Sequence, residues 1–560
     1  MKKNIAIAFL LILFFLPVSA QQPLRREVTL YNPYKPTLNE ARKKSYLPEI
    51  SDTSAFRPEF RYDVTTNPFM PVYAVSPIKA ATLQPEPLNK LYRSYVNLGY
   101  GNNNSPLAEV SITNERSKKG SLGFYGRHYS NNGYFTNDAK QKINASYMDN
   151  DLSLFGRKFY REGVIGASID YNQMTRHAYG FKPENPFNLT RKESRLNYGN
   201  LGANLSVESA RLDSSAFTYD FELRYNYFYN SSELQYGITG VDPGYQHNIG
   251  FDGLMSKSFR GFYVGAGLEF DNYNQPSFLD YPKYVAAINP FVTKSSSLWN
   301  FRLGLQAVIA RGLEESAGLY VYPDVQFGFN IVPSYINFFT ALKGKLDRND
   351  PMNIVRENPY LLPGMIYTDV PFTDHQLIVQ AGLKGNTGIE GTYELSASYS
   401  LVSDMLFYSN IYSMHALLGT GNFFKPITDD VDLLNVHGEM NGKISDKISF
   451  SSALNFYKYT LTTLDIPLNK PSWDALLGIR YNLRDKILAG IELTGIGERK
   501  TSALASQPAH VNMNLVTEYR YSKILSFWAR INEMSYQRYY EWENYPSHMF
   551  QFMVGFTYSL

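Results

Sequence analysis

Phe217-Thr218-Tyr219-Asp220-Phe221-Glu222-Leu223-Arg224-Tyr225-Asn226-Tyr227-Phe228-Tyr229 carries an aromatic or aliphatic side chain at every odd position, and polar residues at 218, 220, 222, 224 and 226. A period of two places the odd residues on one face of a β-strand and the even ones on the other, whereas a helix would scatter them. Leu201, Ala203, Leu205 and Val207 repeat the rule against Gly202, Asn204, Ser206 and Glu208. Phe262, Val264, Ala266, Leu268 and Phe270 repeat it against Gly265, Gly267, Glu269 and Asp271, and Tyr393, Leu395, Ala397, Tyr399 and Leu401 against Glu394, Ser396, Ser398 and Ser400. From Leu91 the alternation recurs to the last residue.

Short polar turns separate some of these runs: Ser117-Lys118-Lys119-Gly120, Arg161-Glu162-Gly163, Lys257-Ser258-Phe259-Arg260, Pro333-Ser334, Ser445-Asp446-Lys447, Arg484-Asp485-Lys486 and Ser522-Lys523. Long segments separate others, at 174–195, 230–245, 346–375, 404–430, 460–474 and 535–547. Tight turns on one rim and long loops on the other are the rhythm of a transmembrane β-barrel. The fold expected is all-β: an antiparallel transmembrane barrel of about 22 strands, between about 20 and 24, covering residues 92–560. The span 142–160 reads as one long strand or two short ones. An even count brings both chain ends to the periplasmic side of an outer membrane. Soluble sandwiches also alternate, but they share one core among roughly seven to ten strands.

Composition agrees. Among 560 residues there are 45 Tyr and 36 Phe, yet mean hydropathy is −0.31. A wall that is apolar on every second residue and polar between gives this pairing of high aromatic content with low average hydropathy. Formal net charge is +3, and loss of Lys2 and Lys3 with a signal peptide leaves +1, so no basic footprint for nucleic acid is present. Cysteine is absent, which removes disulfides and an N-terminal lipid anchor on a thiol.

Lys2 and Lys3, the apolar run Ile5 to Leu16 and the small residues Pro17-Val18-Ser19-Ala20 read as a signal peptide over 1–20. The apolar run falls short of the roughly 20 residues a spanning helix needs. Residues 21–91 hold ten prolines, among them Pro23, Pro48, Pro68 and Pro87, and show neither period. Proline blocks helix interiors and sheet ladders alike, so this segment is expected to be extended and irregular, in the periplasm or inside the barrel.

Catalytic patterns do not emerge. Eight His residues form neither a His-Glu-x-x-His pair nor a close metal pair, and Gly265-x-Gly267 sits in a strand with no helix after it. The expectation is a protein that is not an enzyme and holds no cofactor. Asp347, Asn349 and Asp350 offer oxygen to calcium, but beside Pro351 they also suit a turn. Asp220, Glu222, Arg224, Glu269, Glu394, Glu439, Glu492, Glu518 and Arg520 fall on the polar faces of their strands, where they line a permeation path or are simply the wet side of the wall.

The chain ends in Phe550, Phe552, Val554, Phe556, Tyr558 and Leu560 on one face. Phe556, Tyr558 and Leu560 resemble the terminal signal that the barrel-assembly machinery reads, with Leu in place of the usual final Phe. Strand number, loop rhythm and this last strand make 92–560 similar to TonB-dependent receptors, and Val18-Ser19-Ala20-Gln21-Gln22 with the many Tyr and Asn resembles proteins of the Bacteroidota. That family closes its lumen with a folded plug, whereas about 70 Pro-rich residues precede the barrel here, too few for a full one. The resemblance implies a transport-related outer-membrane barrel, occluded by the N-terminal segment or by loops and in contact with lipid and lipopolysaccharide. The alternative is a non-transporting accessory barrel in an assembly or secretion complex, bound to other outer-membrane or periplasmic proteins.

Overall fold

The structure is a computed structural model. It describes residues 92–560 apart from 115–116, 137–139, 181–189, 211–216, 233–243, 276–280, 412–422, 503–504, 536–537 and positions 315, 363, 369, 389 and 549. The expected signal peptide and the Pro-rich segment 21–91 lie outside the described residues.

Twenty-two strands form one antiparallel sheet in which each pairs with its successor. The ring closes where the first strand, Ser94–Gly101, pairs with the last, Gln551–Ser559. At the seam Leu560 N donates to Ser94 O at 2.9 Å and Ser94 N to Leu560 O at 3.0 Å. Closure leaves no strand edge, the condition a hydrocarbon surrounding imposes on backbone N–H and C=O groups. The ambiguity at 142–160 resolves simply. Tyr147–Phe159 joins the wall, and Lys142–Asn144 pairs with Tyr134–Thr136 in a separate ribbon.

One face of the wall carries the apolar row. On Thr218–Asn230, Leu223 is 49% exposed and lies opposite Leu205 on one neighbour and Phe251 on the other, so the row continues around the ring as a belt. Leu303, Leu305 and Ile309 of Trp299–Arg311 are exposed in the same way. In water such a surface would drive association; in a bilayer it is the solvated face.

The two rims differ as the turn pattern predicts. At the rim holding Ser94 and Leu560, connections are brief: 160–162, 260–261, 296–298, 446–447 and 484–486. Arg260 (φ 51°) and Gly261 (φ 79°) both adopt the left-handed conformation, the geometry of the two-residue hairpin whose twist matches the strands. At the opposite rim the chain runs through 132–146, 178–194, 348–372, 497–509 and 533–550 before re-entering the wall. Among the described residues no helix is long and apolar enough to cross a membrane; the helix Pro351–Glu357 belongs to a loop.

Candidate functional site

The face opposite the belt is polar and cross-linked. Arg224 pairs with Asp252 and lies 3.6 Å from Asp271. Arg348, just past the strand Ile336–Asp347, reaches back across three intervening strands to Phe262–Asn274, where its Nη2 is 2.8 Å from Glu269 and its Nε 2.9 Å from Asp271. The second approach is close for charges but off-line as a hydrogen bond. Asp271 is 5% exposed, so the two guanidiniums are what make its burial as an ion tolerable. Arg302 Nε holds Asp324 at 2.6 Å in the same manner, and its guanidinium lies over Phe291.

The residues singled out from sequence meet different fates. Arg224 and Glu269 are brought into one network through Asp271 and Arg348, neither of which alternation alone marks as special. Glu222 accepts from Asn204 Nδ2 at 2.7 Å, and Glu518 pairs with Arg520 at 3.2 Å. Glu394 sits in register between Lys384 and Glu439. Asp220 stands opposite Glu208 and Leu254, and Glu492 opposite Asn514. Phe556 lies at the seam between Leu98 and Phe527, Tyr558 between Val96 and Leu525, and Leu560 makes the closing bonds to Ser94. Asp347, Asn349 and Asp350 do not converge on one point. Asp347 faces Lys345 and His375, Asn349 donates to Pro371 O, and Asp350 caps the helix Pro351–Glu357 by accepting from Asn353 N. Pro351 at the first helical position fits that cap. The turn-forming reading describes these residues.

The loop end holds what the sequence did not disclose. Buried residues from 135–145, 178–179, 354–370 and Tyr545 pack with Leu196, Tyr198, Phe228, Leu406, Tyr408 and Phe424 of the wall into one hydrophobic core. Tyr360 and Tyr545 stack with ring centres 3.7 Å apart, and Tyr179 donates to Pro546 O at 3.0 Å. Adjacent loop residues bridge distant walls. Pro359 O accepts from the Tyr198 hydroxyl at 3.0 Å, and Tyr360 O accepts from Phe424 N at 3.0 Å. Tyr198 belongs to the sixth barrel strand and Phe424 opens the sixteenth, so the two lie ten steps apart in a ring of 22. A circular ring of that size is roughly 40 Å across, from strand spacing and tilt. The Tyr198 side chain and two adjacent loop residues, Pro359 and Tyr360, span the gap instead. The strands that overshoot the rim, Thr392–Asn410 and Phe424–Ser445, are 19 and 22 residues long. Their ends therefore lean inward over the mouth.

Glu357 fastens this arrangement from one side, accepting from the Tyr408 hydroxyl at 2.9 Å and pairing with Lys470 at 2.7 Å. Arg499 fastens it from another, donating to the backbone oxygens of Tyr540 and Glu541 at 2.6 and 2.7 Å. Beneath it Lys283 donates to Val370 O, and Phe372 packs on Val285, Ala287, Val308 and Ala310, whose face is the one turned from the belt. The segment 348–372 is thus seated against the inner wall.

A closed 22-strand antiparallel barrel with brief turns at one rim and long loops at the other defines a TonB-dependent-receptor-type outer-membrane barrel fold. Solved structures of this kind are similar to it. The copper transporter OprC shares 12% identity over 85% of this chain and 84% of its own, with a TM-score of 0.62. The FrpB iron transporter from Neisseria meningitidis (F3-3 variant) shares 9% over 84% and 82%, at 0.63, and the siderophore receptor PiuA from Acinetobacter baumannii 11% over 84% and 82%, at 0.60. At such identities the likeness is one of fold. No family model matches the sequence, and no curated protein matches it.

Proposed function

We propose that this chain is an outer-membrane transport barrel whose loop end is shut by its own connecting segments. The pair of bonds that ties Pro359 to Tyr198 and Tyr360 to Phe424 carries the reading, because one segment then holds opposite walls together over the lumen. An unobstructed barrel of this diameter would pass solutes freely, so a closure is what such a lumen calls for. In this reading the loop rim faces outward and the chain ends face the periplasm. Residues 21–91 supply a second obstruction from that side, and the network of Arg224, Glu269, Asp271 and Arg348 lines the path beneath the mouth. The similar structures are named for copper, iron and siderophore transport or reception, and we carry over from them the uptake of a small solute. Phe556, Tyr558 and Leu560 serve as the segment read during insertion.

Planar-bilayer recording of the full chain tests this. Low conductance is expected from the native protein. Stepwise increases are expected on Tyr360→Ala with Tyr545→Ala, and on deletion of 23–90. A large, steady conductance of the native barrel that neither change alters would overturn the proposal. Zero conductance in every variant, with stoichiometric partner proteins recovered after gentle solubilisation, would replace it by the accessory-subunit reading.

A further inference from the structure

Where the ring closes, the inner wall carries a polar hollow of about 230 Å³ beside the turn 102–104. Arg127 and Tyr129 bound it from the third barrel strand, Gly120–Asn131, and Arg530 and Asn532 from the twenty-first, Leu525–Asn532. Gln551 of the last strand lies between them, opposite Asn532 in register. By the alternation of their strands these side chains share the inward face with Asn97 and Trp528, whereas Phe527, Phe552 and Val554 are exposed on the other. Buried Leu107 and Met553 form the floor.

Two guanidiniums line this hollow, and no Asp or Glu does. The carboxylates opposite Arg127 in register are already engaged. Asp151 holds Arg127 at 3.3 Å and also accepts from Asn172 Nδ2 at 2.9 Å, and Glu109 accepts from Asn97 Nδ2 at 3.1 Å and from the Tyr125 hydroxyl at 2.9 Å. Arg530 is differently placed. Among the described residues it has neither an ion pair nor a hydrogen-bond acceptor, and its guanidinium lies over the Trp528 ring, 4.7 Å from the ring centre. Stacking occupies the face of a guanidinium and leaves its N–H edges free. Such an edge is a planar fork that fits two oxygens of one anion, and an aromatic backing fixes its orientation in advance. Arg127, with one contact to Asp151, has donors to spare.

We propose that this hollow is an oxyanion subsite, in which Arg530, backed by Trp528 and assisted by Arg127, grips one carboxylate or phosphoryl group of a solute in the lumen. Its volume suits a single such group, being below that of a whole small-ligand site. The inference rests on the transport reading and adds to it the charge of the solute.

Isothermal titration of the full chain in detergent with pyrophosphate, succinate and uncharged succinamide tests it, on the native protein and on Tyr360→Ala with Tyr545→Ala. Pyrophosphate or succinate is expected to bind at least tenfold more tightly than succinamide and to weaken as salt is raised, and the tighter of the two identifies the group. Arg530→Gln should abolish that preference, while Arg530→Lys, which keeps the charge without the fork, should fall between, both retaining the native heat-modified gel shift. Binding confined to the Tyr360→Ala, Tyr545→Ala protein supports the site and makes access the limit. Succinamide binding as tightly as both anions in both backgrounds, no binding of either anion in both, or no loss in Arg530→Gln overturns the site. Conductance is read separately, so failure of the closure and failure of the subsite are told apart. If Arg530→Gln fails to fold, Arg530→Lys and the succinamide comparison on the native chain decide.

Discussion

Trp528 donates its indole N–H to Asn97 Oδ1 at 2.7 Å, joining residues 431 positions apart. Between their strands runs the last strand, and Trp528 lies flat across it, over Gly555 and onto Gly99. Asn97 passes the connection on by donating to Glu109, which also accepts from the Tyr125 hydroxyl. The chain Trp528–Asn97–Glu109–Tyr125 is an inner brace on the seam, additional to the backbone ladder.

Removing the brace should weaken closure. Trp528→Phe keeps most of the ring and loses the hydrogen bond, at a cost of about 1–2 kcal/mol. Trp528→Ala also empties a buried site and should cost about 3–5 kcal/mol. The temperature at which the folded band converts to the unfolded band on a heat-modifiability gel reads both, and an unchanged midpoint in Trp528→Ala would refute the brace.

Gly99 is small for a reason that can be checked by pairing mutations. A Cβ there would stand 2.5 Å from the Trp528 ring. Gly99→Ala should therefore cost about 1–3 kcal/mol from overpacking, and much less in the Trp528→Ala background. A double-mutant cycle with no coupling would mean that the glycine serves some other end.

The charge network under the mouth should behave as a unit. Arg348→Met leaves Asp271, which is almost wholly buried, with only the more distant Arg224, and should loosen the segment 348–372 by about 3 kcal/mol. Combining it with Asp271→Leu should recover most of the loss. Limited proteolysis at 348–372 is the readout, with the heat-modified shift of the barrel itself unchanged.

Packing of the loop 533–550 should depend on pH through Glu533. Burial and the neighbouring Glu541 carboxylate push its carboxyl up to about 7, against a smaller opposing effect of the Tyr539 hydroxyl. The folded pKa exceeds the unfolded one, so the protonated form favours packing: the contribution is full below about 4.5 and is lost as pH rises through 7. Buried His548 is driven down to about 4, and its contribution runs the other way, lost as pH falls from 6.5 toward 4. Comparison with Glu533→Gln isolates the first effect. Hydrogen exchange in 533–550 should be alike in the two proteins at pH 5 and faster in the native chain at pH 8.5, a gap on the order of 2 kcal/mol. Parallel pH profiles would exclude the assignment.

The wall was readable because lipid on one side and water on the other act on each residue through its immediate neighbours, and Phe217 to Tyr229 record that constraint locally. The hairpins followed for the same reason. At 142–160 the pattern faltered because Lys142–Asn144 pairs outside the ring, where neither solvent enforces alternation. The mouth was opaque. Nothing in the order of residues relates Tyr198, Tyr360 and Tyr545, whose burial together depends on the curvature of the whole sheet. Phe228 shows the limit within one strand: it occupies an even position beside the apolar row, and it is buried because Tyr198 stacks on it from the loop side. Arg348 escaped notice because its partners lie on a strand four places away in the ring.

The ring has one further consequence, for the order of events when the chain is made. Every strand from the second onward can dock on its predecessor as soon as it is produced, but Ser94–Gly101 keeps one bare flank until Gln551–Ser559 arrives. Until those two strands meet, the incomplete sheet therefore presents an open template along its first strand, the kind of flank that recruits stray strands. Pairing of Gln551–Ser559 with Ser94–Gly101 removes that flank, so closing the ring and burying its last free backbone edge are a single event.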